Sequence, residues 1–103
     1  MMVHSVYFWL KPELDDDARA AFLGGLLSLR AIPGVRALYA GPPSATPPRP
    51  VVVGDYTFGL TAILDDGAAH DAYQASPEHQ AFLTRFSPCW DRVQVLDFDP
   101  VSD

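Results

Sequence analysis

A tyrosine and a histidine six residues apart, Tyr73 and His79, are the side chains in this sequence best placed to do chemistry. Ser76-Pro77 stands between them. Serine is a favoured N-cap and proline a favoured first helical residue, so a new helix is predicted to start here. His79 then falls in its first turn, where the positive end of the helix dipole disfavours a protonated imidazole. A neutral imidazole beside a phenol is a pairing suited to acid–base chemistry. His4 is a third polar residue of interest. It alternates with Val6, Phe8 and Leu10 and therefore points the same way as they do. Each of the three also has a purely structural reading. Tyr73 serves as a core aromatic whose hydroxyl needs a partner. His79 decorates a helix start beside Glu78, and His4 is a buried histidine bonded to a neighbour.

Other chemistries find little support. His4, His70 and His79 do not occur at a spacing such as His-x-x-x-His, so no metal ligands are expected. His70 and Asp71 open what reads as a polar, solvated helix face. Cys89 is the single cysteine, which excludes an intrachain disulfide and a cysteine zinc site. With no basic residue closer than Arg92, it reads as a small buried side chain. There is no phosphate loop or dinucleotide fingerprint, and the pair Gly24-Gly25 sits inside a helical pattern. No cofactor is expected.

Val3–Leu10 is rich in β-branched and aromatic residues and is a predicted strand, ended by Lys11-Pro12. Asp15 is a plausible N-cap for a helix in which Phe22, Leu26 and Leu29 form an apolar stripe. Gly24-Gly25 weakens that helix, and such glycines often admit a close neighbour. Pro33-Gly34 stops it. Val35–Ala40 is a second strand. Gly41–Pro50 carries five prolines in ten residues, which forbid a helix and most ladder bonds; it reads as an extended loop. Asp55–Leu64 is a third strand, with Tyr56, Phe58, Leu60, Ala62 and Leu64 on one face. Short helices are predicted over Gly67–Gln74 and Pro77–Phe86, the second with Phe82, Leu83 and Phe86 on its buried side. Arg92–Asp99 is the last strand, anchored to the core by Trp90, and Pro100–Asp103 a tail.

The chain has 103 residues, one domain's worth, and is 49% hydrophobic, which favours a folded core. Its net charge is −6, with Lys11 as the single lysine and the arginines scattered. That lacks the basic stripe a phosphate backbone requires, so nucleic acid is not an expected partner. No apolar run approaches a membrane span, and no basic segment precedes an apolar core at the N-terminus. A cytoplasmic location is the expectation.

The order β-α-β-β-α-(α)-β is the split βαβ, ferredoxin-like arrangement: α+β, with an antiparallel four-stranded sheet and helices on one face. The opposite face of a lone sheet meets water and should be polar. Here the first strand is apolar on both faces, and the third carries few charges on either. Tyr7, Trp9, Tyr56 and Phe58 read as sheet and interface packing. A second copy of the same sheet is the simplest cover, so a homodimer is expected.

With these pieces in order, the sequence resembles the stress-responsive α/β-barrel, or Dabb, family of the dimeric ferredoxin-like barrels. The matching segments are VHSVYFWLKPE, LRAIPGV, and HDAYQASPEHQAF followed by Trp90 and VLDFD. They span nearly the whole chain, and the C-terminal pattern is the most specific. The resemblance implies a dimeric α/β barrel, with two sheets closed around a cavity. Most members have no assigned activity. Some plant and bacterial members are linked to stress, and one plant lineage cyclises linear polyketides by aldol chemistry. In that cyclase type a histidine is the proposed base and a tyrosine its partner, which by motif position are His79 and Tyr73; His4 matches a histidine near the start of the first strand. The resulting expectation is a homodimer whose inter-sheet cavity binds a small apolar or carbonyl-containing molecule. A cofactor-free acid–base enzyme using His79, Tyr73 and His4 is one alternative, and a structural, stress-protective dimer another.

Overall fold

The computed structural model describes residues 1–102; Asp103, the end of the tail, lies outside them. The strands are β1 (Met2–Leu10), β2 (Val35–Gly41), β3 (Phe58–Leu64) and β4 (Trp90–Phe98). The helices are α1 (Asp16–Ser28), α2 (Gly67–Ala75) and α3 (Pro77–Phe86), with short 3-10 turns at Leu29–Ala31 and Ser87–Cys89. All strand pairs are antiparallel, and the sheet order is β2-β3-β1-β4. This is the ferredoxin-like α+β arrangement, in which β1 lies between two partners and β2 and β4 form the edges.

Local chemistry explains where each helix starts. The Asp15 carboxylate accepts from the Ala18 N–H at 2.8 Å, and Asp66 accepts from the Ala69 N–H at 2.8 Å. Each satisfies a backbone donor that the first turn leaves free. Ser76 ties two helices together. Its hydroxyl donates to the Tyr73 carbonyl at 2.8 Å and accepts from the His79 N–H at 3.1 Å. The end of α2 and the start of α3 are thereby set by one side chain, with Pro77 opening the second helix.

Burial alternates along β1: His4, Val6, Phe8 and Leu10 are buried, and the residues between them are half-buried. The buried set faces the helices. Phe22 of α1, fully enclosed, is the hub of that layer. Its ring centroid lies 5.1 Å from Phe8, 5.8 Å from Phe82, 5.5 Å from Phe86 and 6.1 Å from Trp90. Trp90 therefore does anchor β4 to the core. Of the two adjacent glycines in α1, only Gly25 is required by packing. A Cβ there would collide with the Phe86 ring, whereas one at Gly24 would meet nothing. Gly34, with φ +90°, turns the chain from the 3-10 segment into β2 through a conformation that side-chain-bearing residues rarely adopt.

The third strand begins at Phe58, three residues later than the composition suggested. The ladder to β1 runs out at the Phe8–Phe58 pair, and beyond it the Leu10 N–H donates to the Thr57 hydroxyl at 2.9 Å, not to a strand carbonyl. Released from the alternation, Tyr56 turns to the opposite face of the sheet, 4.9 Å from Tyr7 and 6.2 Å from Trp9 between ring centroids. The proline-rich stretch belongs to a connection without helix or strand that runs from residue 42 to residue 57. Its far end is fastened where the Trp9 indole N–H donates to Asp55 at 3.0 Å.

The sheet face away from the helices carries Val3, Ser5, Tyr7 and Trp9 of β1. Across from them in register stand Phe98, Leu96, Gln94 and Arg92 of β4. Leu96 is 56% exposed, Phe98 59% and Tyr39 of β2 67%. In a single chain this face is an uncovered, largely apolar surface of the kind that marks an interaction site.

Candidate functional site

Tyr73 lies in the last turns of α2 and His79 in the first turn of α3, on either side of the Ser76 link. The link folds the two helices so that the rings meet edge-on, with centroids 4.9 Å apart at 61°. His4 enters from β1, its ring 5.9 Å from that of Tyr73. All three are buried and line one cavity of about 160 Å³. The remaining wall is almost wholly apolar, including Val6, Leu60, Phe82 and Leu83. Val93 and Val95 of edge strand β4 also line it and are 43% and 49% exposed, so this side lies nearest solvent.

The three sequence-predicted residues therefore do meet, but not between two sheets. His4 shares its face with Val6 and Phe8, which pack against the helices, so the cavity lies between the sheet and the helices of one chain. The face available to a second sheet is the opposite one. Phe98 of β4 sits on that outer face, across from Val3.

Burial sets the electrostatics. The Tyr73 phenol is pushed up to about 12, so it stays protonated and acts as a donor, not a base. The His79 imidazole is held below its usual range, first by burial and then by the neighbouring His4 and His70. Its neutral form dominates near pH 7. The Nδ1 atom of His79 is buried and has no hydrogen-bond partner, alone in this among the buried side-chain polar atoms of the described residues. Buried polar atoms are nearly always paired, which sets this one apart from the rest of the core.

Two participants escaped the sequence reading. Asp97 of β4 stands directly across from His4 in the ladder and accepts from its Nδ1–H at 2.6 Å. The carboxylate fixes the tautomer and leaves Nε2 as the remaining ring nitrogen. The available signal was His4 itself: a polar residue on an apolar face requires a partner, although strand pairing had to be known to find it. His70 was expected on a solvated face. Instead its side chain is mostly covered, and its ring packs 5.0 Å from that of His4. The sequence spacing of the histidines revealed nothing of this, because His4 and His70 are brought together by the packing of α2 on β1. Cys89 is half-buried, packed against the core.

A ferredoxin-like α+β chain with a sheet–helix cavity lined by two histidines and a tyrosine defines the class. The family model for the stress-responsive A/B barrel domain, Dabb, matches residues 2–100, and the chain belongs to that family. No curated protein matches the chain. Among solved structures it is similar to a Dabb family protein with a ferredoxin-like fold from Mesorhizobium loti. That likeness has 28% identity and a TM-score of 0.80, covering 98% of this chain and 97% of the other. A dimeric ferredoxin-like protein of unknown function from Thermobifida fusca shares 24% identity at a TM-score of 0.77, covering 94% and 88%. Hydroxynitrile lyase from Passiflora edulis shares the fold at 19% identity and a TM-score of 0.79, covering 94% and 90%. No helix among the described residues is long and apolar enough to cross a membrane.

Proposed function

We propose that this chain pairs with a second copy through its outer sheet face and holds a small, mostly apolar organic molecule in the sheet–helix cavity. The observation that carries the reading is the unpartnered Nδ1 of His79 at the wall of an otherwise apolar space. Leaving such an atom unpaired costs about 1–3 kcal/mol. A ligand with one polar group directed at His79 and Tyr73 removes that cost while its apolar body fills the cavity. The size fits a compact molecule: an engineered apolar cavity of about 150 Å³ in another protein takes up benzene. Relatives of the same fold described as dimeric, together with the apolar outer face, support the pairing.

One observation favours a second reading, cofactor-free acid–base chemistry on the bound molecule. The cavity reaches both His79, a neutral base, and Tyr73, a protonated donor, on one wall. His79 would take a proton, Tyr73 would orient or donate to the developing oxyanion, and His4, steadied by Asp97, would assist. That a hydroxynitrile lyase shares the fold supports the capacity of this architecture for catalysis.

The test is native mass spectrometry of the chain purified from its own host, under gentle and then denaturing conditions. A dimer mass that releases a small molecule is the expected result. The counterpart is an NMR titration with phenol and benzaldehyde, in which the His79 and Tyr73 ring signals should shift. A monomer, or a bare dimer whose ring signals ignore both probes, would overturn the reading.

A further inference from the structure

His4, His70 and Asp97 come from β1, α2 and β4, and one nitrogen or oxygen of each lies within 4.8 Å of the other two. We propose that these three side chains bind one divalent transition-metal ion of the zinc or cobalt type. His70 has no part in holding the small molecule.

The donor set argues for this class of ion. Two imidazoles and one carboxylate suit borderline metals, whereas magnesium and calcium take oxygen ligands. His4 is buried, with its side chain 4% exposed, so this is not a chance pair of surface histidines. Asp97 is about one-third exposed and His70 about one-fifth, which leaves a route for the ion from solvent. The ring of His70 is also supported from behind. Its Nδ1 lies 3.3 Å from the Asp71 carboxylate and its Nε2 3.5 Å from the Gln74 amide. Whichever nitrogen binds the ion, the other has a polar neighbour to hold it, as ligating histidines commonly do.

Without metal, Asp97 accepts the Nδ1–H of His4 at 2.6 Å. An ion takes the place of that proton, which passes to solvent as the metal–nitrogen and metal–oxygen bonds form. Two donors on a common zinc ion at about 2.0–2.2 Å stand roughly 3–3.5 Å apart, so Asp97 must withdraw by less than about 1 Å. It lies on an edge strand with its side chain one-third exposed.

The experiment titrates untagged, metal-stripped protein with Co²⁺ at about pH 7.5, read by visible d–d absorption and by calorimetry. One ion per chain is expected. His70→Ala and Asp97→Ala should each weaken binding by about tenfold or more, while His79→Ala leaves it unchanged. Far-ultraviolet circular dichroism of each variant separates lost binding from lost fold, and His70, mostly covered but outside the apolar core, is the substitution that spares the core. No saturable Co²⁺ binding, equal binding in a folded His70→Ala variant, or loss of binding in His79→Ala would overturn the proposal.

Discussion

The ring of Tyr73 stands edge-on to that of His79, 4.9 Å away, with both residues buried and a single serine fixing the helices that carry them. Burial acts on the two in opposite senses along the pH scale. It raises the phenol and lowers the imidazole, so both are neutral over the same wide range. The pair consequently offers a base and a donor side by side without a formal charge to desolvate.

Replacing His79 with Phe should separate stability from function. The variant removes an unpaired buried polar atom and keeps the volume filled, so its unfolding free energy should stay the same or rise by about 1 kcal/mol. The response to phenol or benzaldehyde at Tyr73 should fall by tenfold or more, and any turnover should vanish. A variant that binds both probes like the parent would remove His79 from the site.

Stability should depend on pH through the same residue. The folded chain holds the His79 imidazole below 6.5, whereas the unfolded chain protonates it near 6.5. The titratable groups facing it are Tyr73, His4 and His70. Between the two values the unfolded state binds the extra proton, so stability is complete above about pH 6.5 and declines as the pH falls below it. Urea unfolding at a series of pH values should show this decline in the parent and a shallower one in His79→Phe. Parallel curves would refute the assignment.

The uncovered sheet face should be the surface that holds two chains together. Leu96→Asp places a charge on that face without touching the helix-side core and should yield a folded monomer by analytical ultracentrifugation. Phe8→Asp, buried on the other face, should instead unfold the chain, as a lone buried charge demands. A Leu96→Asp dimer would place the contact on another surface.

The two glycines of α1 should respond oppositely to alanine. At Gly24 a Cβ meets open space, so Gly24→Ala should stabilise by up to about 1 kcal/mol through helix propensity. At Gly25 it would strike the Phe86 ring, itself packed against Phe22 and Phe82. Overpacking costs roughly 1–3 kcal/mol, so Gly25→Ala should lower the melting temperature. Thermal scans of both variants check the contrast.

Much of this molecule is written in short-range chemistry. Asp15, Ser76-Pro77 and Pro33-Gly34 mark helix ends by capping and by forbidden dihedrals, which act within a few residues and so are visible in one dimension. The alternation of β1 likewise shows that His4 shares a face with Val6 and Phe8. The closeness of Tyr73 and His79 followed from the same local rules, since only the serine–proline break separates their helices. Which face of the sheet the helices would cover was a different matter. Both faces of β1 are apolar, so pattern alone could not say whether His4 looked toward α2 and α3 or toward a second sheet. Packing decided it, and with it the position of the cavity. Asp97 and His70 depended on strand register and on the docking of α2 across β1, contacts between residues 93 and 66 positions apart from His4. No local rule reaches that far: a carboxylate 2.6 Å from a histidine exists only once the β1–β4 ladder has closed.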